Sequence, residues 1–136
     1  MLRITRLLPL ILLTGCAASA TQMQTPPPND AAHPLTVTLP IGGQYLLSDG
    51  GKITYLQLIN DSRCPPNVQC IWAGDAEVEL RWQPAKGRPT TFSLHTNPTQ
   101  DTSSNNFTLG SLRTTLKDLE RGIAPKATLQ ISTVSP

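Results

Sequence analysis

After residue 34, apolar and polar residues alternate along most of the chain, and a period of two predicts strands rather than helices. Leu35-Thr36-Val37-Thr38-Leu39 is the first such run, a half-buried strand ended by Pro40 and the Gly42-Gly43 pair. Gln44 to Leu47 is a short second strand, followed by the turn Ser48-Asp49-Gly50-Gly51. Lys52 to Asn60 is the longest strand and the least regular. Ile53, Tyr55 and Ile59 fall on one face and Leu56 and Leu58 on the other, which fits a central strand covered on both sides or one that switches partners. Glu77 to Trp82 alternates again with Val78, Leu80 and Trp82 inward, and Pro84 to Pro89 forms a hairpin loop. Thr91 to Thr96 turns Phe92 and Leu94 inward, Asn97 to Asn106 is a polar loop, and Phe107-Thr108-Leu109 is a short strand that Gly110 ends. Segment 111–121 reads two ways. Leu116 and Leu119 fit a helical turn, but β-branched Thr114 and Thr115 favour a strand from Ser111 to Leu119. Ala127 to Val134, with Leu129 and Ile131 inward, is the last strand. Eight short strands in about 100 residues predict an all-β domain over 35–136, a small antiparallel sandwich or barrel.

A chain of 136 residues suits one such domain, and 13 prolines with 9 glycines supply its turns. Of the 11 basic residues, Arg3 and Arg6 lie in the first sixteen residues, and the chain after them holds nine basic residues against nine acidic ones. That balance offers no electrostatic footprint for nucleic acid or for an anionic membrane surface. Residues 17–34 show no hydrophobic period and are rich in small, polar and proline residues. They read as a disordered tether, stiffened at Pro26-Pro27-Pro28, with His33 a solvated linker residue.

The first sixteen residues carry the clearest address. Arg3 and Arg6 precede an apolar run, Leu7 to Leu13, broken only by Pro9 and too short to span a bilayer. It ends in Leu13-Thr14-Gly15-Cys16, which resembles the lipobox of bacterial lipoproteins. The resemblance implies a signal peptide over 1–15, a diacylglycerol thioether on Cys16, and cleavage before that cysteine. Two or three acyl chains would make attachment effectively permanent, since each buried methylene adds about 0.8 kcal/mol. Ala17, rather than an aspartate, follows the cysteine, and this implies the outer membrane of the cell envelope, facing the periplasm.

The densest chemistry lies in 61–75, Asp-Ser-Arg-Cys-Pro-Pro-Asn-Val-Gln-Cys-Ile-Trp-Ala-Gly-Asp. With Cys16 taken by lipid, Cys64 and Cys70 form an even pair in an oxidising compartment, and a disulfide is expected. A redox pair is the rival reading, although thiol oxidoreductases use C-x-x-C and this spacing is C-x5-C. A zinc site is the third, with only His95 left in the domain as a histidine ligand. Around the pair, Asp61 can form an Asx turn, and Arg63 can answer Asp61 or Asp75. Trp72 is large enough to lie over the disulfide as an apolar lid, and Gly74 permits a positive-φ turn into the next strand. Asn67, Val68 and Gln69 sit at the tip and are the expected contact residues. Asp61-Ser62-Arg63-Cys64-Pro65, then Val68, Cys70 and Trp72-Ala73-Gly74 resemble the D-S-R-C-P…C-x-W-A-G signature of small bacterial envelope proteins, often lipoproteins. That resemblance implies a β-rich secreted domain and brings no activity or cofactor.

Catalysis is not expected. Ser62 beside Asp61 has no histidine near it in sequence, and Glu77 and Glu79 share a strand face as solvated carboxylates. No metal or cofactor is expected either. The sequence reads as a membrane-anchored, non-catalytic binding or interaction module with an envelope protein or glycan as partner. The alternative is a structural accessory of an outer-membrane complex.

Overall fold

The computed structural model describes residues 34–98 and 104–134, so Cys16, the tether and His33 lie outside the described residues. Eight strands follow in chain order: β1 (Leu35–Leu39), β2 (Gln44–Leu46), β3 (Lys52–Asp61), β4 (Ala76–Gln83), β5 (Thr90–His95), β6 (Asn106–Leu109), β7 (Leu112–Leu119) and β8 (Ala127–Thr133). They form two four-stranded antiparallel sheets, β1-β8-β7-β6 and β2-β3-β4-β5. The architecture is therefore a sandwich rather than a closed barrel. Segment 111–121 is strand, as β-branched Thr114 and Thr115 favour.

Inward alternation builds the core from both sheets. Tyr55, Val78, Leu80 and Leu94 on one face meet Leu116, Leu129 and Ile131 on the other, all buried. Phe92 and Phe107 stack with centroids 4.2 Å apart, joining β5 of one sheet to β6 of the other. Two bulges in β3 account for its irregular pattern. Tyr55 opposes Leu80 and Gln57 opposes Glu79, then Leu58 opposes Val78 and Asn60 opposes Glu77. Leu56 and Ile59 are the extra residues. Each resets the alternation, so Leu58 packs on the core with Tyr55, while Ile59 is exposed. The expected grouping of Ile59 with Ile53 and Tyr55 is thereby corrected. A third bulge, at Lys117, brings both Leu116 and Leu119 inward.

The register also orders the two ends of the sandwich. Leu35 pairs with Ile131 and Leu39 with Ala127, while Leu112 pairs with Thr133 and Leu119 with Ala127. The chain therefore enters β1 and leaves β8 at one end. The β3–β4 connection, the end of β5 and the β7–β8 connection gather at the other.

Candidate functional site

The β3–β4 connection, residues 62–75, stands at that second end as an extension of the hairpin. The Ser62 N–H donates to the Asp75 carbonyl at 2.7 Å, and the Cys64 N–H donates to that of Ala73 at 3.5 Å. The Ser62 hydroxyl donates to the Asp75 carbonyl at 2.9 Å and accepts from the Asp75 N–H at 3.1 Å. Cys64 and Cys70 are joined by a disulfide with their Cα atoms 5.9 Å apart. Within the ring it closes, the Val68 N–H donates to the Pro65 carbonyl at 3.3 Å, and Asn67 takes φ 65°, a conformation asparagine tolerates. Gly74 has φ 67°. A Cβ there would overlap the Ser62 carbonyl oxygen and lie 2.7 Å from the Arg63 Cα. Only glycine lets the two legs of the loop approach this closely.

Arg63 clasps the loop to the opposite sheet. Its Nε and Nη2 donate to the two Asp61 carboxylate oxygens at 2.8 and 2.6 Å. Its Nη1 donates to the Leu119 carbonyl at 2.7 Å, and Nη2 also donates to that of Glu120 at 2.9 Å. Those carbonyls close β7, so one planar guanidinium links the end of β3 to the end of β7 across the sandwich. Its side chain is only 12% exposed. The Arg63 N–H completes the expected Asx turn onto Asp61 at 3.1 Å. Hydrogen bonding to Arg63 holds the Asp61 carboxyl below the usual carboxylate range, and the same bond raises the guanidinium.

Asp75, the other acid open to Arg63 in sequence, is taken by His95. Its Oδ2 lies 2.6 Å from the imidazole Nδ1. Oδ1 accepts from the Thr96 hydroxyl at 3.1 Å and from the Asn97 N–H at 2.8 Å. Burial pushes the Asp75 carboxyl up, but these donors, His95 first, outweigh it and leave it below its usual range. Nε2 of His95 faces Glu77 Oε1 at 3.9 Å, so the imidazole lies between two carboxylates. The Ser62 hydroxyl is bonded to the Asp75 backbone, not to the imidazole. A cleft of about 200 Å³ nearby is lined by Arg63, Thr96 and the Leu116–Leu119 end of β7. Among the described residues, no group of three or more His, Cys, Asp or Glu is placed to hold a metal ion. The Asp75–His95 pair was not foreseen from the sequence. The two residues are twenty apart and meet because β4 begins where β5 ends, with Glu77 opposite His95.

The tip differs from expectation in one respect. Trp72 is not a lid: it is 67% exposed, and its neighbour Ile71 is 92% exposed. Turned outward by the glycine-permitted return of the loop, both face solvent, together with Val68 at 55%. Asn67 and Gln69 are exposed as expected. The sequence signal for Ile71 was an apolar pair placed between Cys70 and Gly74, in a loop with no strand to bury it. Ile123, on the β7–β8 connection at the same end, is fully exposed as well. Asp61, Arg63 and Gly74 thus frame the loop, and the apolar surface is carried by Val68, Ile71 and Trp72. Compared with family models, curated proteins and solved structures, the chain matches none.

Proposed function

We propose that the chain is a lipid-anchored protein of the bacterial envelope that works as a non-catalytic binding module through the tip of its 64–74 loop. The observation that carries the reading is the exposure of Ile71 and Trp72 on a loop braced by a disulfide, a paired base and the Arg63 clasp. Exposed apolar residues scattered singly are ordinary, but a group of them marks a contact surface, and Val68, Ile71 and Trp72 stand exposed within five residues of one braced loop. The bracing lowers the ordering cost of contact, since the loop already holds one conformation. The apolar surface favours an apolar partner over a glycan. Membrane attachment rests on the Leu13–Cys16 box.

Two substitutions test the two halves separately. Cys16→Ser is expected to abolish incorporation of labelled fatty acid and to release the protein from membranes; retained label contradicts the anchor. Ile71→Ser with Trp72→Ser is expected to leave thermal unfolding unchanged and to remove the chain's ability to complement its own deletion. Full complementation by this double variant places the contact surface elsewhere.

A further inference from the structure

Building on the tip as contact surface, we infer that it is a membrane-docking knob: Ile71 and Trp72, with Ile123 at the same end, seat in the interface of the bilayer that anchors the chain. Electrostatics point to electrically neutral lipid. Residues 64–74 contain no Asp, Glu, Lys, Arg or His. Around them Asp61 pairs with Arg63 and Glu120 with Lys126, and the other bases at this end, Lys117 and Arg121, are outnumbered by the acids Asp75, Glu77 and Asp118. This end of the domain therefore presents no unbalanced basic cluster to attract anionic headgroups.

Shape points the same way. Ile71 and Ile123 project from two different connections and are almost wholly or wholly exposed, so they do not wall a common groove. A fluid apolar phase takes up separate projections without a matching cavity, whereas a protein pocket must be shaped to both. The indole of Trp72 has an apolar body and a polar N–H, the combination that settles at the level of lipid headgroups. Reach permits the geometry. At about 3.3 Å per residue, the eighteen residues from 17 to 34 extend to about 60 Å. The ten-residue β3 spans about 33 Å. An anchor at Cys16 can thus pass alongside the domain from the end where β1 begins, and the opposite end can touch the same bilayer. Tethering keeps that bilayer at high effective concentration, so a weak second contact is occupied.

The test uses the full lipidated chain in vesicles of phosphatidylcholine, read against the same chain carrying Trp72→Phe so that the emission of Trp72 is obtained by difference. Bromine-labelled acyl chains are expected to quench Trp72, and aqueous acrylamide to reach it several-fold less well than in the Ile71→Asp variant. That variant is expected to lower the equilibrium constant for insertion by about tenfold or more, because a carboxylate in an apolar interface costs more than the about 1.4 kcal/mol that a factor of ten represents. Raising salt is expected to leave insertion unchanged. If the chain stays on vesicles while Trp72 remains open to acrylamide and untouched by bromolipid, the anchor stands and the knob is overturned. If Trp72 is shielded without bromolipid quenching and copies cross-link through residue 71, the occupant is a second copy, and the lipid proposal is again overturned. Insertion that persists in vesicles, together with full complementation by the Ser variants, upholds the knob and removes its role as the functional contact.

Discussion

Replacing Arg63 with alanine removes four hydrogen bonds at once, two to the Asp61 carboxylate and two to the carbonyls that end β7. The two halves are unequal. The Asp61 half resembles a partly solvated ion pair, a class worth about 0–1 kcal/mol. The carbonyl half comes from a charged donor that is mostly shielded from water, and each such bond contributes about 1.5 kcal/mol at the lower end. Arg63→Ala is therefore expected to cost about 3–4 kcal/mol. Asp61→Asn keeps both carbonyl bonds and an oxygen for the Asx turn, and is expected to cost about 1 kcal/mol or less. In a domain near 100 residues, 1 kcal/mol moves the melting temperature by roughly 4 °C, so the two variants should separate by about 8 °C or more. Thermal and urea unfolding followed by circular dichroism measure both. Equal losses in the two variants, or a loss below about 1 kcal/mol for Arg63→Ala, would refute the view that the guanidinium joins the two sheets. The pH dependence supplies a second check. The folded-state carboxyl of Asp61 is depressed, so its contribution is complete above the ordinary carboxylate value and is lost as pH falls through the lowered one. The stability gap between wild type and Arg63→Ala should narrow over that acid range.

Gly74→Ala combines a positive φ with overlap onto the Ser62 carbonyl, and is expected to cost about 3 kcal/mol or more; an unchanged melting temperature would show that the legs of the loop can part freely. Reducing Cys64–Cys70 is expected to cost about 2 kcal/mol, lowering the melting temperature by roughly 8 °C with the sheet signal intact. Alkylation with intact-mass measurement should find these two thiols only after reduction, and labelling of the native chain would contradict the disulfide.

Strand positions were legible because most of them bury one face, and alternation such as Val78-Glu79-Leu80 records that directly. Alternation could not reveal where it is reset. The extra residues Leu56 and Ile59 are apolar and read as inward positions, although the ladder leaves them without partners. Arg63 and Asp61 were legible because an Asx turn is local. The carbonyls of Leu119 and Glu120 were not, because a backbone acceptor has no sequence signature and lies more than fifty residues away. The same distance problem hid Asp75 and His95, whose meeting depends on the β4–β5 register. Trp72 was misplaced for a different reason: size and hydrophobicity favour burial, but a short ring closed by a disulfide has no interior in which to place an indole.

The pairing of β1 with β8 has a consequence for the order of folding. Sheet β2-β3-β4-β5 is a meander in chain order, so each hairpin closes a modest loop on strands that have just been made. The other sheet must bring the first strand of the domain to the last, closing a loop of almost the whole domain, and a closure of that kind pays its entropy before contacts reward it. The strands β6, β7 and β8 are likewise neighbours in chain order, so the two meanders form first and β1 zips onto β8 after the transition state. Truncating Val37 on β1 should speed unfolding and leave the folding rate nearly unchanged, a φ-value close to zero, while truncating Leu80 on β4 should slow folding. The reverse order would mean that the two ends of the domain find each other first.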